Sequence, residues 1–103
     1  ETLMLKAFNL SKEGELDNAK QIYLDILTLS PSNMAARERV SSLYQQQGDT
    51  KNALYHLDLL LKDDFDNADY LLRKAALQIQ TNERADAEKT LSIVRNFIND
   101  DVR

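Results

Sequence analysis

Two glycines set the strongest constraint on this chain. Gly14 and Gly48 are the only glycines among 103 residues and lie 34 positions apart, and one more step of 34 reaches Asn82. Asn is the residue other than Gly that most readily takes a positive φ, so it suits the same turn. Five residues after each comes an Ala (Ala19, Ala53, Ala87), and four further on a large side chain (Tyr23, Leu57, Leu91). Asn18/Asn52, Leu27/Leu61, Asn33/Asn67 and Arg39/Arg73 echo at the same step. Echoes in one register define an internal repeat, and three periods cover nearly the whole chain.

Each period carries two apolar stripes at helical spacing. The first helices read Leu3-Ala7-Leu10, Ala36-Val40-Leu43-Tyr44, and Leu71-Ala75 running on to Ile79. The second helices read Ala19-Ile22-Tyr23-Ile26-Leu29, Ala53-Leu57-Leu60-Leu61, and Ala87-Leu91-Val94-Ile98. Polar turn segments separate them at 13–15, 30–33, 47–49, 63–67 and 81–83, and no stretch alternates with a period of two. The expectation is an all-α chain of six antiparallel helices in three hairpins. It forms one domain over residues 1–103, with repeats at approximately 1–33, 34–67 and 68–101. Small residues at Ala7, Ser41 and Ala75, and at Ala19, Ala53 and Ala87, let the two helices of each hairpin approach closely.

This pattern resembles the tetratricopeptide repeat. Repeat one carries Gly14, Ala19, Tyr23 and Pro31, with Leu3, Ala7 and Leu10 at the family's large, small and large positions. Repeat two keeps Tyr44, Gly48, Ala53 and Leu57, with Ser41 at the small position and Phe65 in place of Pro. Repeat three keeps Leu71, Ala75, Ala87 and Leu91, with Asn82 for Gly and Asn99 for Pro. The resemblance implies a right-handed superhelical α-solenoid whose first helices line a concave groove. It implies protein binding without naming the partner, because this fold serves many functions.

Composition narrows the function classes. A formal net charge of −4 opposes nucleic acid as the ligand, since phosphate binding needs a cationic face. No apolar run approaches the ~18 residues of a membrane span, and no signal-peptide pattern is present. Without Cys there is neither a disulfide nor a thiolate metal site. His56, the only histidine, has Asn52 and Leu60 at i−4 and i+4, so no carboxylate or second ligand shares its helical face. The acidic run from Asp63 to Asp69 fails as a calcium loop, with Ala68 at a ligand position, no turn Gly and Ala75 in place of the closing Glu. It suits a helix start instead, with Asp66 or Asn67 as the cap. The expectation is no enzyme, no cofactor and no metal.

Transferring the groove by steps of 34 gives a floor of Met4, Glu38 and Leu72; Phe8, Ser42 and Ala76; and Ser11, Gln45 and Ile79. Glu1, Ala35 and Asp69 edge it, and Arg39 and Arg73 lie one position around. This face would hold an extended peptide or a helix of a partner protein. The alternative at each position is ordinary packing against neighbouring helices. Some family members clamp the acidic C-terminal tail of heat-shock chaperones with two Lys, two Asn and an Arg. Here Met4 and Asp69 stand where Lys is needed, Phe8 and Arg39 where Asn is needed, and only Arg73 matches. That clamp is not expected to work.

Ile93 and Phe97 lie off the stripe of the last helix, and only Val102 and Arg103 follow the third repeat. They are expected to meet adjacent repeats or a second chain, against the alternative of ordinary exposed apolar residues. With no Met at the start, the chain is expected to be a segment of a longer array. A structural spacer joining other domains is the second functional reading. RNA binding is a remote third, opposed by the acidic balance and by a period of 34 where the RNA-reading relative uses about 35.

Overall fold

The computed structural model describes residues 2–102, with the side chains of residues 2–97. It contains six α-helices: α1 (Leu3–Lys12), α2 (Leu16–Leu29), α3 (Met34–Gln46), α4 (Thr50–Asp63), α5 (Ala68–Gln80) and α6 (Arg84–Val102). No strand occurs among the described residues. The helix ends coincide with the expected turn segments. Two compact units divide within α4, Glu1–His56 and Leu57–Arg103.

The three turns inside the repeats are built alike. Gly14, Gly48 and Asn82 have φ of +84°, +77° and +64°. The N–H groups of Glu15 and Gly14 donate to the carbonyls of Leu10 (2.9 Å) and Ser11 (3.1 Å). Asp49 and Gly48 donate in the same way to Tyr44 and Gln45, and Glu83 and Asn82 to Gln78 and Ile79. These bonds satisfy carbonyls that the helix end leaves open, and they require the left-handed residue between helix and turn. A Cβ on Gly14 or Gly48 would meet nothing within 4 Å, so the demand is on φ and not on space. Asn82 meets that demand as expected.

Caps start the helices. The side chains of Thr2, Asn33 and Asn67 accept from the N–H groups of Leu5 (3.1 Å), Ala36 (3.0 Å) and Tyr70 (3.1 Å). Of the two candidates for α5, Asn67 is thus the cap, and its amide also donates to Asp64 at 2.9 Å. Asn18 and Asn52 donate to the acids that precede α2 and α4, Glu15 (2.9 Å) and Asp49 (2.8 Å). The bonds from the Asn52 side chain and backbone hold the Asp49 carboxyl below its ordinary range.

In the first unit, Ala7, Ala19, Tyr23, Ile26, Leu27, Ala36, Val40 and Leu43 form a buried cluster, with Met4, Leu10, Leu16, Ile22, Leu24 and Tyr44 packed around it. The hydroxyl of Ser41 donates to the Ala53 carbonyl at 3.1 Å in a buried position, so only a small residue fits there. In the second unit Leu57, Leu60, Leu71, Ala75, Leu77, Ala87 and Val94 are buried.

Three stripe residues depart from expectation. Leu3 (48% exposed) opens α1 and Leu29 (80%) closes α2, so both sit at the free end of an antiparallel pair, where cover runs out. Leu29 also lies about 120° around the helix from the Ala19–Tyr23–Leu27 line at 100° per residue. Ile79 (54% exposed) falls in line with Leu72 and Ala76, and the buried side of α5 is completed by Leu77 and Gln78. Glu1, Arg103 and the side chains of Ile98, Asn99 and Val102 lie outside the described residues.

One position pair in each hairpin changes chemistry from repeat to repeat. In the first it is Leu10 and Ile22, both against the apolar cluster. In the second it is Tyr44 and His56, stacked with ring centroids 5.6 Å apart. In the third it is Gln78 and Thr90, both buried, with the Thr90 hydroxyl donating to the Gln78 side-chain oxygen at 2.9 Å. His56 is buried, meets Tyr55 edge-on, and accepts a hydrogen bond from Arg37 Nη1 at its Nδ1, 3.0 Å away. That bond requires the neutral ring with its proton on Nε2. Burial first, and the Arg37 charge second, push the His56 pKa below its ordinary value.

Three outcomes follow from this packing. Ala53→Leu should overpack the second hairpin and lower stability by about 1–3 kcal/mol in urea denaturation. Asn82→Gly should change stability by a few tenths of a kcal/mol, whereas Asn82→Val should cost about 1–2 kcal/mol, because a β-branched residue resists positive φ. His56 binds its proton more weakly in the folded chain, so its contribution is intact above the unfolded value of 6.5 and is lost as pH falls towards the lower folded pKa. Thermal unfolding between pH 7 and 5 should show this loss, and His56→Gln should flatten that part of the profile.

Candidate functional site

The first helices of the hairpins carry the candidate residues, and the helical period decides which of them share a face. In the first unit, Met4, Phe8 and Ser11 step along α1, and Glu38, Arg39, Ser42 and Gln45 along α3. Phe8 brings the two helices into contact. Its ring lies 5.1 Å from the Arg39 guanidinium and 5.4 Å from the Lys12 ammonium, so two cations attend one partly exposed aromatic ring. Burial raises the pKa of the Tyr23 phenol, and the Arg39 charge partly opposes that rise. Met4 packs against the apolar cluster and serves the core margin, which is the alternative weighed for it. Ser11, Glu38, Ser42 and Gln45 are half-buried, and Ala35 is exposed.

In the second unit the face belongs to α5. Leu72, Ala76 and Ile79 are exposed along one side, with Asp69 exposed one turn before Leu72. Arg73 is half-buried with its guanidinium 6.0 Å from the Tyr70 ring. Two large apolar side chains in line on an exposed helix face form a surface with apolar anchors between polar neighbours. The described residues include no group of three or more His, Asp or Glu placed to hold a metal ion, and no helix among them is long and apolar enough to cross a membrane.

Lys12, beside the candidate residue Phe8, is a position that periodicity alone passes over. Its spacing of four from Phe8 was a usable signal, since side chains at i and i+4 meet on a helix. Arg37 offered no such signal: its partner His56 is 19 residues away on another helix. Ile93 is exposed and Phe97 half-buried on α6, consistent with their place off the stripe.

No protein-family model matches the sequence, and neither does any curated protein. Solved structures do. A tetratricopeptide repeat protein from Parabacteroides merdae superposes with a TM-score of 0.85 at 24% identity, over 92% of this chain and 37% of that one. The TPR2B domain of yeast Sti1, in a complex with pHsp70, matches with a TM-score of 0.77 at 19% identity, over 91% of this chain and 75% of that one. PcrH, in complex with the chaperone binding region of PopB, matches with a TM-score of 0.79 at 19% identity, over 91% and 76%. The chain thus spans little more than a third of the Parabacteroides protein. With six helices in the expected register and these likenesses over nine-tenths of its length, the chain has the all-α, three-hairpin fold of tetratricopeptide-repeat proteins.

Proposed function

We propose that this chain is a protein-interaction scaffold that takes a peptide or helix of a partner protein on the faces of its first helices. It would work as one tetratricopeptide domain, a segment of a longer array, and the partner would lie in the concave groove expected from the repeat register. One observation carries the reading: each unit exposes large apolar side chains on a first helix, Phe8 in one and Leu72 and Ile79 in the other, next to charged residues. Apolar anchors with charged neighbours suit a folded or extended protein segment, which contributes alternating apolar and polar side chains. Two structures of the same fold are complexes with other proteins: Sti1 TPR2B with pHsp70, and PcrH with the chaperone binding region of PopB. The proposal includes no catalytic step, cofactor or nucleic acid. His56, the sole imidazole, is buried between Arg37 and the Tyr44 ring.

Arg39 and Lys12 place positive charge beside the Phe8 ring, without the two Lys and two Asn that hold an acidic C-terminal tail. The pattern also departs from the clamp for acidic chaperone tails at every position except Arg73.

The test is affinity capture from host lysate, with the wild-type chain beside a Phe8→Ala/Arg39→Glu/Arg73→Glu variant shown to be folded by circular dichroism. Wild type should retain a protein that the variant loses by about tenfold or more, as expected when anchors of an interface are removed. Retention of the same set by both would overturn the groove and leave the spacer reading. In a parallel arm the peptide SRMEEVD, bound by the first TPR of Spaghetti, should show no binding by calorimetry; tight binding would contradict the assignment of Met4, Phe8, Arg39 and Asp69.

A further inference from the structure

Arg37 departs from the repeat at a register position that is Leu in the other two hairpins, Leu3 and Leu71. Its guanidinium joins three segments of the first unit. Nη1 donates to Nδ1 of His56 on α4, and Nη2 to the Pro31 carbonyl in the α2–α3 turn, each at 3.0 Å. Otherwise the turn is held by short-range bonds. The Asn33 N–H donates to the Ser30 carbonyl at 3.0 Å, and the Asn33 side chain accepts from Ala36. Ser30, Pro31 and Ser32 are exposed, and no residue of the turn belongs to the buried cluster of this unit.

His56 is fixed where Arg37 is free to move. Its ring is buried, stacked on Tyr44 with 12° between the planes, and met edge-on by Tyr55. The charged and titratable groups that face it in this unit are Arg37 and Tyr44 on α3 and Tyr55 on its own helix. Lys20 of α2 stands beyond, 4.7 Å from the Tyr44 ring centroid. Burial and the Arg37 charge both disfavour a protonated ring, and among the described residues no carboxylate offsets them.

A proton on Nδ1 would occupy the place where the Arg37 hydrogen now sits, leaving two cationic donors face to face. With the imidazole held on a face and an edge, the long Arg side chain is the group that yields. The guanidinium is a rigid planar fork, so Nη1 leaving His56 swings Nη2 off Pro31 as well. We propose that Arg37 is a proton-operated latch: protonation of His56 expels the guanidinium and releases the α2–α3 turn while the helices stay folded. Release costs little apolar burial because the turn is already exposed, whereas unfolding must uncover the whole buried cluster, so the local opening comes first. The latched ring binds its proton more weakly than the released one, which no longer faces Arg37. The latch therefore holds at neutral pH and loosens as pH falls below 6.5.

The test is NMR of the isotopically labelled chain between about pH 7.5 and 4.5, reading the His56 ring nitrogens together with amide hydrogen exchange. At the upper end Nδ1 should be bare and Nε2 protonated. As His56 titrates below 6.5, protection of the Asn33, Ala36 and Arg37 amides should be lost with the same midpoint, while Val40 and Leu43 further along α3 stay protected. His56→Gln keeps an oxygen that accepts from Arg37 but does not titrate, so its turn amides should stay protected throughout. Arg37→Leu should raise the His56 pKa and uncouple turn exchange from it. Turn protection that survives the wild-type titration would overturn the latch, and that arm requires no variant to fold. Loss of protection at the same midpoint in His56→Gln would overturn it too, assigning the response to another group. Loss at Val40 and Leu43 together with the turn would replace the latch with global unfolding.

Discussion

Close approach of two helices at a pair of small residues is the condition on which each hairpin depends. Ala7 and Ala19 are fully buried, Ala75 and Ala87 nearly so. In the middle hairpin Ser41 takes the small position and turns its hydroxyl onto the Ala53 carbonyl. A side chain that reaches the partner helix's backbone at 3.1 Å leaves no room for a larger residue on either side. Large residues above and below, such as Tyr23, Leu57 and Leu60, then fill the volume that the small pair leaves, to the density of a protein interior.

The left-handed turn residue makes that approach repeatable. With Gly14, Gly48 or Asn82 at positive φ, two backbone hydrogen bonds close the first helix and the second begins within three residues. So short a connection leaves the helices little freedom in relative position. The pair at Leu10/Ile22, Tyr44/His56 and Gln78/Thr90 shows what the geometry leaves free. The same two positions are apolar in one hairpin, aromatic in the next and hydrogen-bonded in the third. Polar groups are tolerated there because each finds a partner; a lone His or Gln would be costly.

Legibility followed the physical range of each interaction. The turn at Asn82 was readable, and the cap of α5 was narrowed to Asp66 or Asn67, because these features involve residues within five positions of each other. The apolar stripes were readable for the same reason, but their ends were not: Leu3 and Leu29 match the period and still lie exposed, since burial needs a neighbour and periodicity does not supply one. Contacts between distant residues were invisible, as with Arg37 bridging His56 and the Pro31 carbonyl, or Arg39 over Phe8. Of the candidate site, the line of Leu72, Ala76 and Ile79 was legible as a helix face, while the packing of half-buried Met4 against the core cluster was legible only as one of two alternatives.

By itself, then, the sequence determined the repeat, the six helices, the turns between them, and the small residues at which paired helices approach. These rest on local sterics and on hydrogen bonds that a short segment completes alone. Only the tertiary structure decided which apolar residues are covered, which cation attends Phe8, and which form of His56 is held. Each of those depends on side chains brought together from separate helices, where burial and charge act across space and not along the chain.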